Sequence, residues 1–308
     1  MTDKATAVAD SNTPLSEHRS LWYDVWKQFR THKGALVGAG IFLGIVLSVL
    51  FGPLIHDVDP QYLNIRDRNQ GPSLAHPMGT DNLGRDTFAQ VLAGGRVSLA
   101  VGVTAMLLSL LLGALVGVLA GYFKRLDGPL MRLTDLFLAL PLLPLLLVVI
   151  MLFRDTLRSA FGPEVGIFLL VVFIIGITSW MQTARIVRGD VLALKERDFI
   201  SAAYCIGAPS GRILYRHVLP NVLSPIMVSA TLGIANAIIT ESALSFLGLG
   251  FPSDFPTWGR LLYDGANFMT LTPSRVIWPG LAISITVLSV NYMGDGLRDA
   301  LDPRIRSR

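Results

Sequence analysis

Six stretches of this chain carry no charged residue and approach or exceed the length needed to cross a bilayer: residues 35–55, 97–123, 136–153, 165–184, 218–240 and 276–294. A hydrocarbon core about 30 Å thick takes roughly 20 apolar residues as a helix. Backbone amides and carbonyls find no water there, so each such stretch must bond within itself. The expected fold class is therefore all-α, a polytopic membrane protein with six transmembrane helices. Composition agrees. Of 308 residues, 52% are hydrophobic and only 16% charged, against about a quarter charged in soluble domains.

The net charge of +4 is read in the same frame. With the N-terminus inside, the inner segments hold 18 of the 26 lysines and arginines, the bias that keeps loops on the cytoplasmic side. The basic residues are spread over many loops and gather on no single face with aromatics, so nucleic-acid binding is excluded as a reading. A single cysteine, Cys205, leaves no intrachain disulfide and no redox motif. The N-terminus is polar and lacks a secretory pattern. Residues 1–14 are expected to be a disordered tail. Residues 15–34 place Leu21, Trp22, Val25, Trp26 and Phe29 near one helical face, the pattern of a helix lying in the membrane interface.

Within the spans, Gly113, Gly117 and Gly121 repeat every four residues. This clears one helix face for close approach of a neighbour, although glycine is also common in membrane helices generally. Pro141 and Pro144 predict a kink in the third span. Glu241 follows one charge-free run and precedes another. Either it faces a water-filled path, with Ser245 beside it, or the fifth span ends there and it meets the outer interface.

Bond-making chemistry is not evident. The five histidines lack metal-ligand spacing, and no phosphate-binding Gly-Lys loop occurs. A Ser245–His217 hydrolase pair is opposed by topology, which puts the two on opposite sides of the bilayer. An ion-coupled carrier acting alone would carry more buried carboxylates and an internal repeat.

The remaining informative stretch is the polar, basic insert at 199–221, between the fourth and fifth spans. It resembles the cytoplasmic loop of the permease subunits of ATP-binding-cassette importers. Ala202, Ala203, Gly207, Leu219 and Pro220 match that loop's pattern, while Ser201 stands where glutamate is usual and His217 where an apolar residue is usual. Gly207 suits a sharp turn between helices, and Pro220 suits a first helical turn. Four further runs are similar to the C-type subunit of oligopeptide/dipeptide permeases: H-P-M-G-T-D-N-L-G-R-D-T-F at 76–88, E-S-A-L-S-F-L-G-L-G at 241–250, W-G-R-L-L at 258–262 and G-D-G-L-R-D-A-L-D-P at 294–303.

The resemblance implies a type I importer permease fold with an N-terminal interfacial helix and a cytoplasmic coupling helix. The implied division is a tail at 1–14, an interfacial helix at 15–34, a first span at 35–55, a periplasmic loop at 56–95, a permease core at 96–296 containing a coupling loop at 185–221, and a cytoplasmic tail at 297–308. Ser201, Ala202, Ala203, Gly207, Arg212, His217 and Pro220 would couple to the ATPase. Glu241 and Ser245 are candidates for the translocation path or gate, and Gly113, Gly117 and Gly121 for helix packing. The implied partners are a homologous B-type permease, two ATPase subunits that bind ATP and Mg, a periplasmic or lipoprotein substrate-binding protein, a peptide substrate and membrane lipids. The chain itself would hold no cofactor and catalyse nothing. It would lie in a bacterial inner membrane with both termini cytoplasmic. The resemblance leaves glutathione, nickel chelates or opines open as cargo.

Overall fold

A computed structural model of the chain describes residues 21–301. The expected tail at 1–14 and the last residues of the expected C-terminal tail lie outside that range. In chain order the helices are α1 (Leu21–Phe29), α2 (Lys33–Ile55), α3 (Thr87–Tyr122), α4 (Lys124–Ala139), α5 (Leu142–Phe161), α6 (Pro163–Lys195), α7 (Asp198–Cys205), α8 (Ser210–Ile213), α9 (Leu219–Phe246), α10 (Trp258–Ala266) and α11 (Ser274–Leu301). Among the described residues there is no strand, only an isolated bridge between Thr80 and Asp86. Five helices are long and apolar enough to span a membrane, and a sixth crossing is available if α4 and α5 act together.

The centre of the bundle is the pair α3–α6. Gly113, Gly117 and Gly121 all face α6. A Cβ at Gly113 would stand 2.7 Å from Thr183 Cβ, at Gly117 2.6 Å from the Ala184 carbonyl oxygen, and at Gly121 2.7 Å from Val191 Cβ. Without side chains at these positions the two backbones meet along three turns, and dispersion contacts replace the hydrophobic drive that lipid does not supply. α9 packs on the other side of α3, where a Cβ at Gly102 would stand 2.7 Å from Ile238. α2 and α11 form a second layer, joined where Gly38 meets the Ser289 carbonyl and Gly296 meets Ala35.

Three boundaries differ from the sequence expectation. The outer loop is shorter than 56–95, because α3 begins at Thr87. Asp86 caps it, its Oδ1 accepting from the Ala89 amide at 2.8 Å. Arg96 looks like a span boundary in sequence, yet it lies inside α3. Its guanidinium donates to the carbonyls of Val49 and Leu50 on α2 at 3.0 and 2.9 Å. The third span bends where its prolines predict, but as two helices and not one. α4 and α5 meet at 87° around Leu140–Pro141, where Leu140 is extended (φ −74°, ψ 133°), as a residue before proline must be. Pro144 sits in the first turn of α5, where its missing amide costs nothing. The fifth span runs beyond Thr240 to Phe246 and so carries Glu241 within it.

The two ends of this bundle differ. The cap end carries the 56–86 connection and α10, and the insert end carries α7 and α8.

Candidate functional site

At the insert end, α7 runs from Asp198 to Cys205 and stops at Gly207, whose φ of +76° turns the chain back toward α8. A side chain there would have open space on every side but a backbone L-residues seldom adopt. Residues 214–218 form a π-helical turn that joins α8 to α9 without a break. Pro220 supplies no amide, so the chain widens locally and the Leu219 amide reaches back to Leu214.

The insert stands on an apolar floor. Ile200, Ala203, Ile213, Val218 and Val222 are buried against Val118 and Tyr122 of α3 and Val187 and Val191 of α6. Its tip is the reverse: Ile206 and Tyr215 are 84% and 78% exposed, and Phe199 and Tyr204 are close to half exposed. Ser201, Ala202 and Arg212 are exposed as well, Ala203 is buried, and His217 is half-buried with its ring 6.2 Å from that of Phe199.

Polar ties hold the rim. The Tyr204 hydroxyl donates to the Tyr122 hydroxyl at 2.9 Å, and Tyr122 donates in turn to the Ser210 carbonyl at 3.3 Å. Lys195 caps the end of α3 through the Tyr122 carbonyl at 3.0 Å. The hydrogen bond to Tyr122, helped by burial, pushes the Tyr204 phenol up to about 12. Arg188 is held by Asp127 at 2.5 and 2.7 Å, so it is not a free surface cation. Nothing in the sequence singled out Tyr122, Tyr204 or Lys195, because their roles depend on the insert folding back onto the end of α3.

Above the insert lies a cavity of about 420 Å³ between α3, the α4–α5 bend, α6 and α9. α6 contributes Thr178, Ser179, Gln182 and Thr183. α9 contributes Ser229, Asn236 and Thr240, and α3 contributes Ser109. No charged residue lines it among the described residues. These polar residues went unremarked in the sequence, although their spacing of three, four or seven places them on one face of each helix.

Glu241 and Ser245 are elsewhere. Neither lines this cavity. Glu241 is fully buried at the cap end, its Oε2 accepting from Ser98 of α3 at 3.0 Å and its Oε1 from Ser245 at 2.8 Å. Ser98 Oγ also accepts from the Trp258 amide at 3.2 Å. The carboxylate thus ties α3, α9 and the start of α10 together inside the bundle. Ser245 and His217 lie 28 residues apart along one continuous helical path, about 40 Å at 1.5 Å per residue, so they form no catalytic pair.

Residues 109–307 match the family described as binding-protein-dependent transport system inner membrane component. Residues 20–72 match the N-terminal TM domain of oligopeptide transport permease C. The chain is 38% identical to the dipeptide transport system permease protein DppC of Alkalihalophilus pseudofirmus, over 99% of this chain and 98% of that protein. It is 38% identical to the oligopeptide transport system permease protein OppC of Bacillus subtilis, over 98% and 96%. It is also 37% identical to the glutathione transport system permease protein GsiD of Pectobacterium atrosepticum, over 94% and 93%.

Proposed function

We propose, from the premise that this chain belongs to the binding-protein-dependent transport system inner membrane component family, that it forms one half of the membrane path of an ATP-driven importer for di- and oligopeptides. Its relatives named for dipeptides and oligopeptides support that cargo, and the relative named for glutathione keeps a peptide-like solute in view. In this reading the second half is a homologous B-type permease, and a substrate-binding protein delivers cargo at the cap end. Two ATPase subunits, which hold ATP and Mg, sit below the insert. The chain makes and breaks no bond. It lies in a bacterial inner membrane with both termini on the cytoplasmic side, the side of the insert.

The observation that carries the reading is the insert itself: an apolar underside fixed to the ends of α3 and α6, and an apolar tip exposed. An exposed Ile206 and Tyr215 on a rigid lever suit a groove on a partner protein. When the ATPases close, the lever moves with them, and its floor passes the motion to α3, α6 and the α4–α5 bend that shape the cavity. Ser201, Ala202, Ala203, Gly207, Arg212, His217 and Pro220 belong to this coupling segment. Gly113, Gly117 and Gly121 keep α3 and α6 moving as one body. Glu241 and Ser245 act as a fixed seal at the cap end. The small-residue spacing in α3 and the turn at Gly207 both serve transmission of movement and not chemistry.

The test is reconstitution of the complete complex in proteoliposomes. Uptake of a labelled peptide is expected to require ATP and the binding protein. Ile206→Asp with Tyr215→Asp should release the ATPases on purification while this chain still inserts. ATPases retained by the double variant, with uptake at the normal rate, would remove the insert from its coupling role.

A further inference from the structure

The polar side chains of the central cavity fall into two groups. Thr178 is satisfied within its own helix by the Ile174 carbonyl at 2.7 Å, and Thr240 by the Asn236 carbonyl at 2.8 Å. Thr183 and Ser229 satisfy each other at 2.8 Å. The side chains of Ser109, Ser179, Gln182 and Asn236 have no hydrogen-bond partner among the described residues, and all four line the cavity. Gln182 on α6 and Asn236 on α9 are both exposed there. An amide side chain carries two donors and an acceptor. Left against hydrocarbon, these groups would be costly, so their face is built for water or for a polar solute.

The composition of the wall narrows the solute. It offers donors and acceptors together and no charge. A fixed charge beside a passage of low polarity would hold an opposite charge at 4 Å about a thousandfold more tightly, which opposes release in a path that must let go of what it binds.

We propose that Gln182 and Asn236, together with Ser109 and Ser179, form a cargo-contacting wall that hydrogen-bonds the neutral amide backbone of a peptide, so that passage along this chain is indifferent to the charge of the peptide's side chains. This rests on the importer reading of the same cavity. The selection of one peptide over another is left to the protein that delivers it. Within this chain the wall recognises the feature that all peptides share.

The test uses the full complex in proteoliposomes with its binding protein and three peptides of equal length, one acidic, one neutral and one basic. Each variant is scored by the ratios of uptake between peptides, relative to wild type, which cancels the binding protein's own preference. Asn236→Asp is expected to hold the basic peptide back and lower the basic-to-neutral ratio about tenfold, and Asn236→Lys to lower the acidic-to-neutral ratio by a similar factor. General damage to the fold would slow all three peptides alike and cannot make the two variants discriminate against peptides of opposite charge. Gln182→Leu should slow all three peptides in equal proportion. If the Asp and Lys variants both keep the wild-type ratios, the wall does not meet cargo and instead packs against the partner permease, and the proposal falls while ATP-driven uptake stands. If the wild-type complex moves no peptide with ATP, the importer reading itself fails and takes this proposal with it. A second measurement covers the case in which the charged variants do not assemble. In the wild-type complex, a peptide carrying a photoreactive group is expected to label α6 and α9 near residues 182 and 236. Label confined to other helices overturns the proposal.

Discussion

Two glycines at opposite ends of the bundle show how differently those ends are held. Gly259, at the cap end, has no room: a Cβ there would lie 2.5 Å from the Ser242 backbone. Gly207, at the insert end, has nothing within 4 Å, and its φ of +76° is the only constraint. The surroundings repeat the contrast. At the cap end polar groups are buried and interlocked. Glu241 joins Ser98 and Ser245, and Asp86 caps α3 while receiving His76 at 2.7 Å, with His56 Nε2 3.2 Å away. At the insert end the interior is apolar and the polar ties lie at the rim, between Tyr122 and Tyr204 and between Arg188 and Asp127. Buried polar networks fix one arrangement, because breaking any member leaves another unpaired. An apolar floor tolerates small shifts, since dispersion and burial carry little directionality. The cap end is therefore the more firmly fixed of the two, and the insert end the one that tolerates small shifts.

That contrast is most open to attack at Gly259. Gly259→Val should cost 3 kcal/mol or more, at or above the roughly 1–3 kcal/mol usual for overpacking, and leave little folded protein in detergent; a normal yield and elution profile would show that the cap end gives way easily. Next comes Glu241→Ala, expected to cost about 2 kcal/mol by stranding Ser98 and Ser245 and to lower the thermal midpoint by about 5 °C. Glu241→Gln should lose less than half as much. Equal losses for the two substitutions would mean that the hydrogen bonds do not hold the cap end.

At the insert end the effects should appear in coupling and not in stability. Gly207→Val places a β-branched residue at positive φ, a strain of roughly 1–2 kcal/mol, and should raise the ATP consumed per peptide moved while the chain still inserts. Gly207→Asn should recover part of the loss, because asparagine accepts that backbone. Unaltered stoichiometry in the valine variant would show that the turn need not be held. The smallest effect belongs to the tyrosine pair. Tyr204→Phe should change the stoichiometry by a few-fold or less, consistent with about 1 kcal/mol for one hydrogen bond; Tyr122→Phe, which also loses the bond to the Ser210 carbonyl, should do somewhat more, and the double variant should be no worse than Tyr122→Phe alone. Additive losses would instead point to Tyr204 touching the ATPase by itself. The folded-state phenol of Tyr204 is raised to about 12. Its contribution is therefore complete below about pH 10, the free tyrosine value, and is lost only as pH climbs toward 12, so coupling should not vary with pH through this pair in the physiological range.

How much of this was legible beforehand depended on whether a feature was local. The spans could be read from their lack of charge, and the break at Pro141 from proline's fixed φ and absent amide. The turn at Gly207 could be read from the residue that alone enters positive φ freely. Arg96 misled, because a charge in a span reads as a boundary until α2 carbonyls are seen to receive it. Glu241 was left between a path and an interface, since a sequence does not say what stands beside a buried carboxylate.

The sequence by itself determined that this chain must be helical and lie in a membrane, because hydrocarbon permits almost nothing else for its apolar runs. It also determined where the chain must bend, since proline and glycine act on their own backbones. Only the tertiary structure decided that Tyr122 meets Tyr204, that Glu241 meets Ser98, and that the amides of Gln182 and Asn236 face one cavity. Those pairings join residues from 54 to 143 positions apart, whose meeting depends on how whole helices pack.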